Sequence, residues 1–245
     1  AQSCCQGVFL HAGKWYRGRR MDASLRIRTP WPGAPVYVRE TTGSTMDDAL
    51  ALARQGCPSG TVVAAGLQER GRGRGQGTRW LSGPWESLLA TVVLAPSEAG
   101  FPLTQLSLRA GLAVALAVEE AAGIGVRIKW PNDLLWEGRK LAGILCEARE
   151  GVLLVGIGVN CTQASFPPEI AATACSLAMA ARRVVTPLAL LPVVLARLHD
   201  CLRVGDWRGP VLARLAPGHG TVRGIDEDGA LLVETAGGSV VRKDR

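Results

Sequence analysis

"QERGRGRGQGTRW", residues 68–80, crowds four arginines and four glycines into thirteen positions. As a free arginine-glycine segment it would grip nucleic acid through phosphate contacts. As an ordered loop, its glycines would let backbone N–H groups approach a small anion while the arginines close over it. The flanks bear on the choice. Upstream, "TVVAAGLQ" (61–68) is an apolar run of strand length, and downstream "SLLATVVLA" (87–95) is a second. The stretch is thus bounded by two buried strands, which places it inside a folded sheet.

Further out, "GSTMDDALALARQG" (43–56) reads as a helix. Ser44 or Thr45 is a natural N-cap, Asp47 and Asp48 sit in the first turn, and Gly56 ends it. Pro30, Pro32 and Pro35 predict an extended approach to the body, and Leu103–Ala122 is a long apolar helix, punctuated by Arg109, Glu119 and Glu120 and so unsuited to a membrane. "GVRIKW", "DLLWE", "KLAGILCEA" and "GVLLVGIGVN" follow as strands, with "EGRK" a hairpin turn, and residues 187–204 form another helix, Pro at its start and Gly205 after it. The last stretch, typified by "GTVRGIDEDGALLVETAGG", reads as short strands with glycine and acidic turns. The prediction is α+β: a mixed-sheet core packed with helices, plus a small C-terminal all-β domain. Its expected boundaries are an unstructured extension over 1–28, a main unit over 29–205 and the β domain over 206–245, cut short at Arg245.

Composition narrows the function. Apolar residues make up 47% and charged residues 20%, a globular balance. The net charge of +7 suggests nucleic acid, but +5 of it lies in residues 1–28, leaving +2 for the body. Met21 stands where a natural start could be, so residues 1–20 are set aside as an upstream extension. The seven cysteines include no C-x-x-C pair and no secretory signal accompanies them, which predicts reduced thiols in a cytoplasmic protein. Three histidines leave little material for a His-rich metal site or a serine-histidine-acid triad.

The standard nucleotide cradles are absent. Gly13-Lys14 lacks the rest of a P-loop, "GRGRGQG" leads into a strand where a dinucleotide fingerprint needs a helix, and "GIGVNC" lacks the third glycine. The lysines say more. Only four exist, Lys14, Lys129, Lys140 and Lys243, against 24 arginines. Lys129 and Lys140 bracket one short segment, where a compact ammonium suits a carboxylate or phosphate oxygen as well as a solvated hairpin. Asn132 and Asp133 suit a turn, Asn160 a strand end and Trp80 a core, each as well as a site.

In combination these motifs resemble the biotin–protein ligases. "GST" (43–45) is similar to the family's Ser-Thr segment, "QERGRGR" (68–74) to its Q-x-x-G-R-G-R loop, and "KWPNDLLWEGRKLAGIL" (129–145) to its K-W-P-N-D…K-L-x-G-I-L block. "GIGVN" (156–160) and "RGIDEDGALLVE" follow in order. The resemblance implies a class II synthetase-like core with an SH3-like C-terminal domain. It implies an enzyme that joins biotin and ATP, with Mg²⁺, into biotinyl-5′-AMP and passes biotin to a lysine of a carboxylase's biotin carboxyl-carrier domain. It places Lys140 and Arg74 at the reacting anion. Ser44, Thr45, Met46, Gln68, Gly71, Arg72 and Gly73 fall around biotin, with the N–H groups of Arg72 and Gly73 on the anion. Arg72, Trp80, Lys129, Asn132 and Asn160 fall around ATP, and no metal ligand is assigned. The loop is expected to order over its ligand, and the protein to act as a monomer or homodimer. The loop runs one residue longer than usual, putting Thr78 and Arg79 near the place of its last arginine, and Met46 stands where asparagine is common. With only ~35 residues ahead of the core, too few for a winged-helix domain, no DNA-binding role is expected. The rival readings are a lipoate or octanoate ligase of related fold and a non-enzymatic nucleic-acid binder.

Overall fold

The computed structural model describes Ile27 and residues 29–243 apart from Gln76 and Arg182. The extension read over residues 1–20 lies outside the described residues. The chain opens on β1 (Val36–Thr42), where no strand was expected, and β2 (Val62–Gln68), β3 (Ser87–Leu94), β4 (Arg127–Lys129), β5 (Asp133–Trp136), β6 (Arg139–Arg149) and β7 (Val152–Asn160) form where the apolar runs predict them. They make one seven-stranded sheet in the order β1-β2-β3-β7-β6-β5-β4. Only β1 and β2 pair in parallel, because helix α1 (Thr45–Arg54) carries the chain back between them.

The two faces of this sheet have different fates. One is covered by α2 (Leu103–Ala122) and α5 (Pro187–Arg203), which pack on each other and on the sheet. Leu88, Ala90, Val92 and Leu94 of β3 point into that core with Ile144, Val155 and Ile157. On the other face α1 packs over a small core of Met46, Ala49, Leu50, Val63, Val93 and Leu154. One ten-residue helix cannot cover a seven-stranded face. The uncovered part is where the cleft lies.

Several local features refine the expectations. The proline-rich approach does not run straight: residues 30–33 bend, and Trp31 tucks under the chain at Gly60, where a Cβ would lie 2.2 Å from the indole. The "EGRK" hairpin turns on Glu137 (φ 47°) and Gly138 (φ 78°), the left-handed pair that a two-residue hairpin demands. The short helices α3 (Pro168–Ala171) and α4 (Leu177–Ala180) fall in a stretch given no element, and α6 (Arg208–Ala213) falls inside the region read as all-β.

The C-terminal unit is an antiparallel sheet of β8 (Thr221–Ile225), β9 (Leu231–Glu234) and β10 (Val240–Lys243), as its alternating short runs predict. It docks rather than dangles. Trp130 Nε1 donates to the Gly229 carbonyl at 3.0 Å, Gln105 Nε2 donates to that of Glu227, and Ile225 and Leu231 join the main core.

Candidate active site

The floor of the cleft is made of absent side chains. Gly143 of β6 pairs directly opposite Gly158 of β7, so both face the same side of the sheet, and Gly156 follows two residues away on that side. A Cβ on Gly158 would come within 3.0 Å of the Trp80 indole, and one on Gly143 within 3.2 Å. A Cβ on Gly156 would meet Met46 Sδ at 3.1 Å. Trp80 therefore lies on two glycines at one end, and Met46 on a third under α1. The buried indole N–H of Trp80 has no hydrogen-bond partner among the described residues.

The polar wall begins at the first turn of α1. Ser44 is the N-cap residue, yet its side chain makes no cap bond. Gln68, at the end of β2, caps the helix in its place. Its Oε1 accepts from the Thr45 N–H at 2.7 Å and from Thr45 Oγ1 at 2.9 Å. Thr45 Oγ1 also meets Thr91 Oγ1 at 2.9 Å. With its oxygen committed, Gln68 has only its NH₂ to offer a ligand.

The glycine-arginine stretch folds back on itself over this face. Arg72 bridges Arg79, the Gly73 N–H reaches the Thr78 carbonyl at 2.8 Å, and the Trp80 N–H reaches Gly71 at 3.1 Å. The Arg72 guanidinium forms a two-pronged pair with Asp47 at 3.1 and 2.8 Å, tying the loop to α1.

Across the cleft stands Lys140, at the start of β6. Its ammonium lies 2.7 Å from Asp133 Oδ1 and 5.8 Å from the Trp80 ring centre. The β5–β6 register shifts at Leu134 and Leu135, beside Lys140, so the pleat is interrupted there. Asn132 is held by Ile144 from both sides: its Nδ2 donates to the Ile144 carbonyl at 3.1 Å, and its own carbonyl accepts the Ile144 N–H at 2.8 Å.

Ser44, Thr45, Met46, Gln68, Arg72, Gly73, Arg74, Trp80, Asn132 and Lys140 thus line one open cleft, about 500 Å³ including its solvent-filled mouth. Arg74 and Asn132 also line a second recess with Ser107 and Cys146. Three expected residues stand apart. Gly71 lies behind the lining, where its missing side chain leaves room for the Gln68 amide 3.1 Å from its Cβ position. Lys129 is exposed on edge strand β4, paired with Asp133 and so on the same face. Asn160 is 5% exposed, its Nδ2 donating to the Cys175 and Lys140 carbonyls. The Gly73 N–H, expected at the anion, donates to the Thr78 carbonyl.

Reading by residue also missed partners. Asp47 and Asp133, read as helix-start and turn residues, pair with Arg72 and Lys140. Gly143, Gly156 and Gly158 form the floor; the period-two glycines of "GIGVN" in an apolar strand were the available signal of close approach. Among the described residues no three His, Cys, Asp or Glu side chains gather into a metal cluster.

The chain belongs to the biotin/lipoate A/B protein ligase family, whose profile matches residues 38–163. The profile of the biotin protein ligase C terminal domain matches residues 215–244. It is 34% identical to a biotin–[acetyl-CoA-carboxylase] ligase of Paracoccus denitrificans, over 82% of this chain and 94% of that one. It is 32% identical to the bifunctional ligase/repressor BirA of Bacillus subtilis, over 89% of this chain and 75% of that one. Among solved structures, the Aquifex aeolicus biotin protein ligase in complex with biotin and ATP superposes with a TM-score of 0.75 at 29% identity, covering 84% of this chain and 94% of that one.

Proposed function

We propose that this chain is a biotin–protein ligase that condenses biotin with ATP to biotinyl-5′-AMP and then transfers biotin to a lysine of a biotin carboxyl-carrier domain. In the first step a biotin carboxylate oxygen attacks the α-phosphorus and pyrophosphate leaves. In the second the acceptor amine attacks the acyl carbon, AMP leaves and the amine gives up its proton. Two anions must meet, so fixed positive charge in a water-poor site is the main requirement. The observation that carries the reading is the convergence of Lys140, Arg72 and Arg74 on one glycine-floored cleft whose far end is polar.

Lys140 stabilises the carboxylate and then the adenylate phosphate, with Asp133 as its resting partner. Arg74 seals the anion from the loop side. Thr45, Ser44 and the Gln68 NH₂ hold the ureido ring, with Met46 beneath it. Trp80 and Asn132 border the nucleotide, and Lys129 at the rim meets its phosphate tail. Mg²⁺ would come with ATP and would supply charge neutralisation at its phosphates. The catalytic unit runs over residues 29–205 and the β unit over 206–245, in a monomer or homodimer. No helix of the described residues is long and apolar enough to cross a membrane. None of the five described cysteines is in a disulfide, which suits work in the cytoplasm.

The test is pyrophosphate exchange into ATP with biotin, lipoate or octanoate offered separately. Biotin alone supports exchange, and Lys140→Ala lowers its rate by about 10²–10³. Exchange with lipoate and none with biotin would overturn the substrate while leaving adenylation standing.

A further inference from the structure

We propose that Trp85 is a positioning residue for the glycine-arginine hairpin: it anchors the returning arm of the loop to the sheet, and so sets how long biotinyl-adenylate is kept in the cleft before transfer. The effect on the adenylate rests on the function proposed above; the anchor itself does not. Trp85 is a tryptophan where the backbone favours glycine, with φ at 60° in the left-handed region. A bulky residue is disfavoured there, and such a conformation persists only where its surroundings enforce it. Three contacts do so. The indole lies on Gly66 of β2, where a Cβ would come within 2.5 Å of the ring, and its Nε1 donates to Glu40 Oε2 of β1 at 2.8 Å. The Trp85 N–H donates to the Gly66 carbonyl at 2.8 Å.

The neighbouring residues complete the anchor. The Gly83 N–H donates to Glu86 Oε2 at 2.9 Å and the Glu86 N–H to the Gly83 carbonyl at 3.3 Å, which closes residues 83–86 into a turn. The Glu86 carbonyl then accepts the N–H groups of Cys161 at 3.0 Å and Thr162 at 2.9 Å, just past the end of β7. The outgoing arm is tied as well. The Glu69 N–H reaches the Thr42 carbonyl and the Arg70 N–H that of Gly43, each at 2.9 Å, directly beyond the β1–β2 pairing. Between these two roots Arg72, Arg74, Thr78 and Arg79 are all exposed.

What the anchor controls is Trp80. Its ring lies over Gly143 and Gly158 on the cleft floor, and its N–H closes the hairpin on the Gly71 carbonyl at 3.1 Å. Only residues 81–82 separate it from the anchored turn. Without the Trp85 side chain the turn loses its hold on β1 and on Gly66, and the free stretch lengthens to 81–85. A longer free segment is closed at greater entropic cost, so the hairpin opens more often. Arg72, Arg74 and Trp80 line the cleft from that hairpin. Each opening therefore lets the adenylate leave, or lets water attack its acyl carbon to give biotin and AMP. Lys140 stands on β6, outside this device, so the formation step is spared.

The experiment compares wild type, Trp85→Gly and Trp85→Phe, with melting temperatures measured beside them. Glycine accepts a φ of 60° without strain, so the backbone keeps its path while the ring is removed. Phenylalanine keeps a ring on Gly66 and loses the bond to Glu40. In the empty protein, tryptic cleavage after Arg72, Arg74 and Arg79 is expected to be about tenfold faster in Trp85→Gly. With biotin and ATP, single-turnover formation of the adenylate should stay within about threefold of wild type. Labelled adenylate, with no carrier domain present, should be lost about tenfold faster, and Trp85→Phe should fall between. Wild-type cleavage in folded Trp85→Gly would overturn the anchor, and faster cleavage with unchanged retention would overturn its link to the adenylate. Formation and retention falling together, with a lowered melting temperature, would reduce Trp85 to general stability and overturn the proposal. A raised KM for the carrier domain with retention intact would make Trp85 a partner contact and overturn it too. If Trp85→Gly does not fold, Trp85→Phe is read against the same criteria. No adenylate from wild type would overturn the proposed function, a separate failure that leaves the cleavage result to judge the anchor.

Discussion

At the scale of single residues, the cleft depends as much on missing atoms as on present ones. Gly158→Ala would set a methyl 3.0 Å from the Trp80 ring in a packed site. The expected outcome is a loss of about 1–3 kcal/mol in unfolding free energy and a raised KM for ATP, with that for biotin less affected, measured by denaturant titration and exchange kinetics. Gln68→Leu should act at both ends of its side chain. Losing the cap on α1 costs about 1 kcal/mol, and losing the donor to the ureido group weakens biotin binding, which calorimetry would show. An unchanged biotin affinity would remove Gln68 from the binding site. How much could be read in advance differs between such residues. Lys140 stood out because lysine is rare in this chain and brackets a motif. Asp133 did not, because its partner is set by strand pairing between β5 and β6.

At the scale of elements, strands other than β1 and long helices were legible because each carries its own apolar run or period. The short helices α3, α4 and α6 were not, being four to six residues long and too brief to show a period. The closure of the glycine-arginine stretch into a hairpin was also hidden, since it comes from backbone bonds between 71–73 and 78–80. A less obvious joint links α2 to the end of α5. Arg109 Nη1 donates to the carbonyls of Cys201 and Val204 at 2.8 Å each, while its guanidinium lies 4.3 Å from the Phe101 ring centre. Arg109→Ala leaves both carbonyls without that donor, and is expected to cost roughly 2–3 kcal/mol. Denaturant unfolding checks this, with adenylation by the folded fraction unchanged.

At the scale of the whole molecule, titration sets the conditions under which the fold is firm. His219, edge-on to Trp130 at 6.5 Å, is held below the ordinary histidine range first by burial and then by the positive charges of Lys243 and Lys129. His199, edge-on to Trp31, is lowered by burial and then by Arg203. Both are neutral in the fold more readily than in the unfolded chain. Their contribution is therefore fully present above about pH 6.5 and lost as pH falls through the depressed folded values. Melting temperature should drop between pH 7.5 and 5.5, and His219→Leu should flatten that slope. Glu150, lowered chiefly by its hydrogen bond to Arg54, matters only under more acidic conditions. The thiols behave oppositely: burial pushes Cys161 up to about 12 and Cys201 up to about 11. Iodoacetamide at pH 8 should leave both unmodified in the native protein and label both after denaturation, as mass spectrometry would report.

The borrowed cap at the start of α1 also makes that helix a built-in gauge of occupancy. The Thr45 amide proton is held by a side chain from another strand. Its exchange with deuterated water is therefore timed by the freedom of Gln68, not by fraying of the helix alone. A ligand that pins the Gln68 amide would slow that one proton while leaving amides at the far end of α1 at their own pace. The molecule thus carries, in a single peptide hydrogen, a clock that runs at one rate when the cleft is empty and another when it is full.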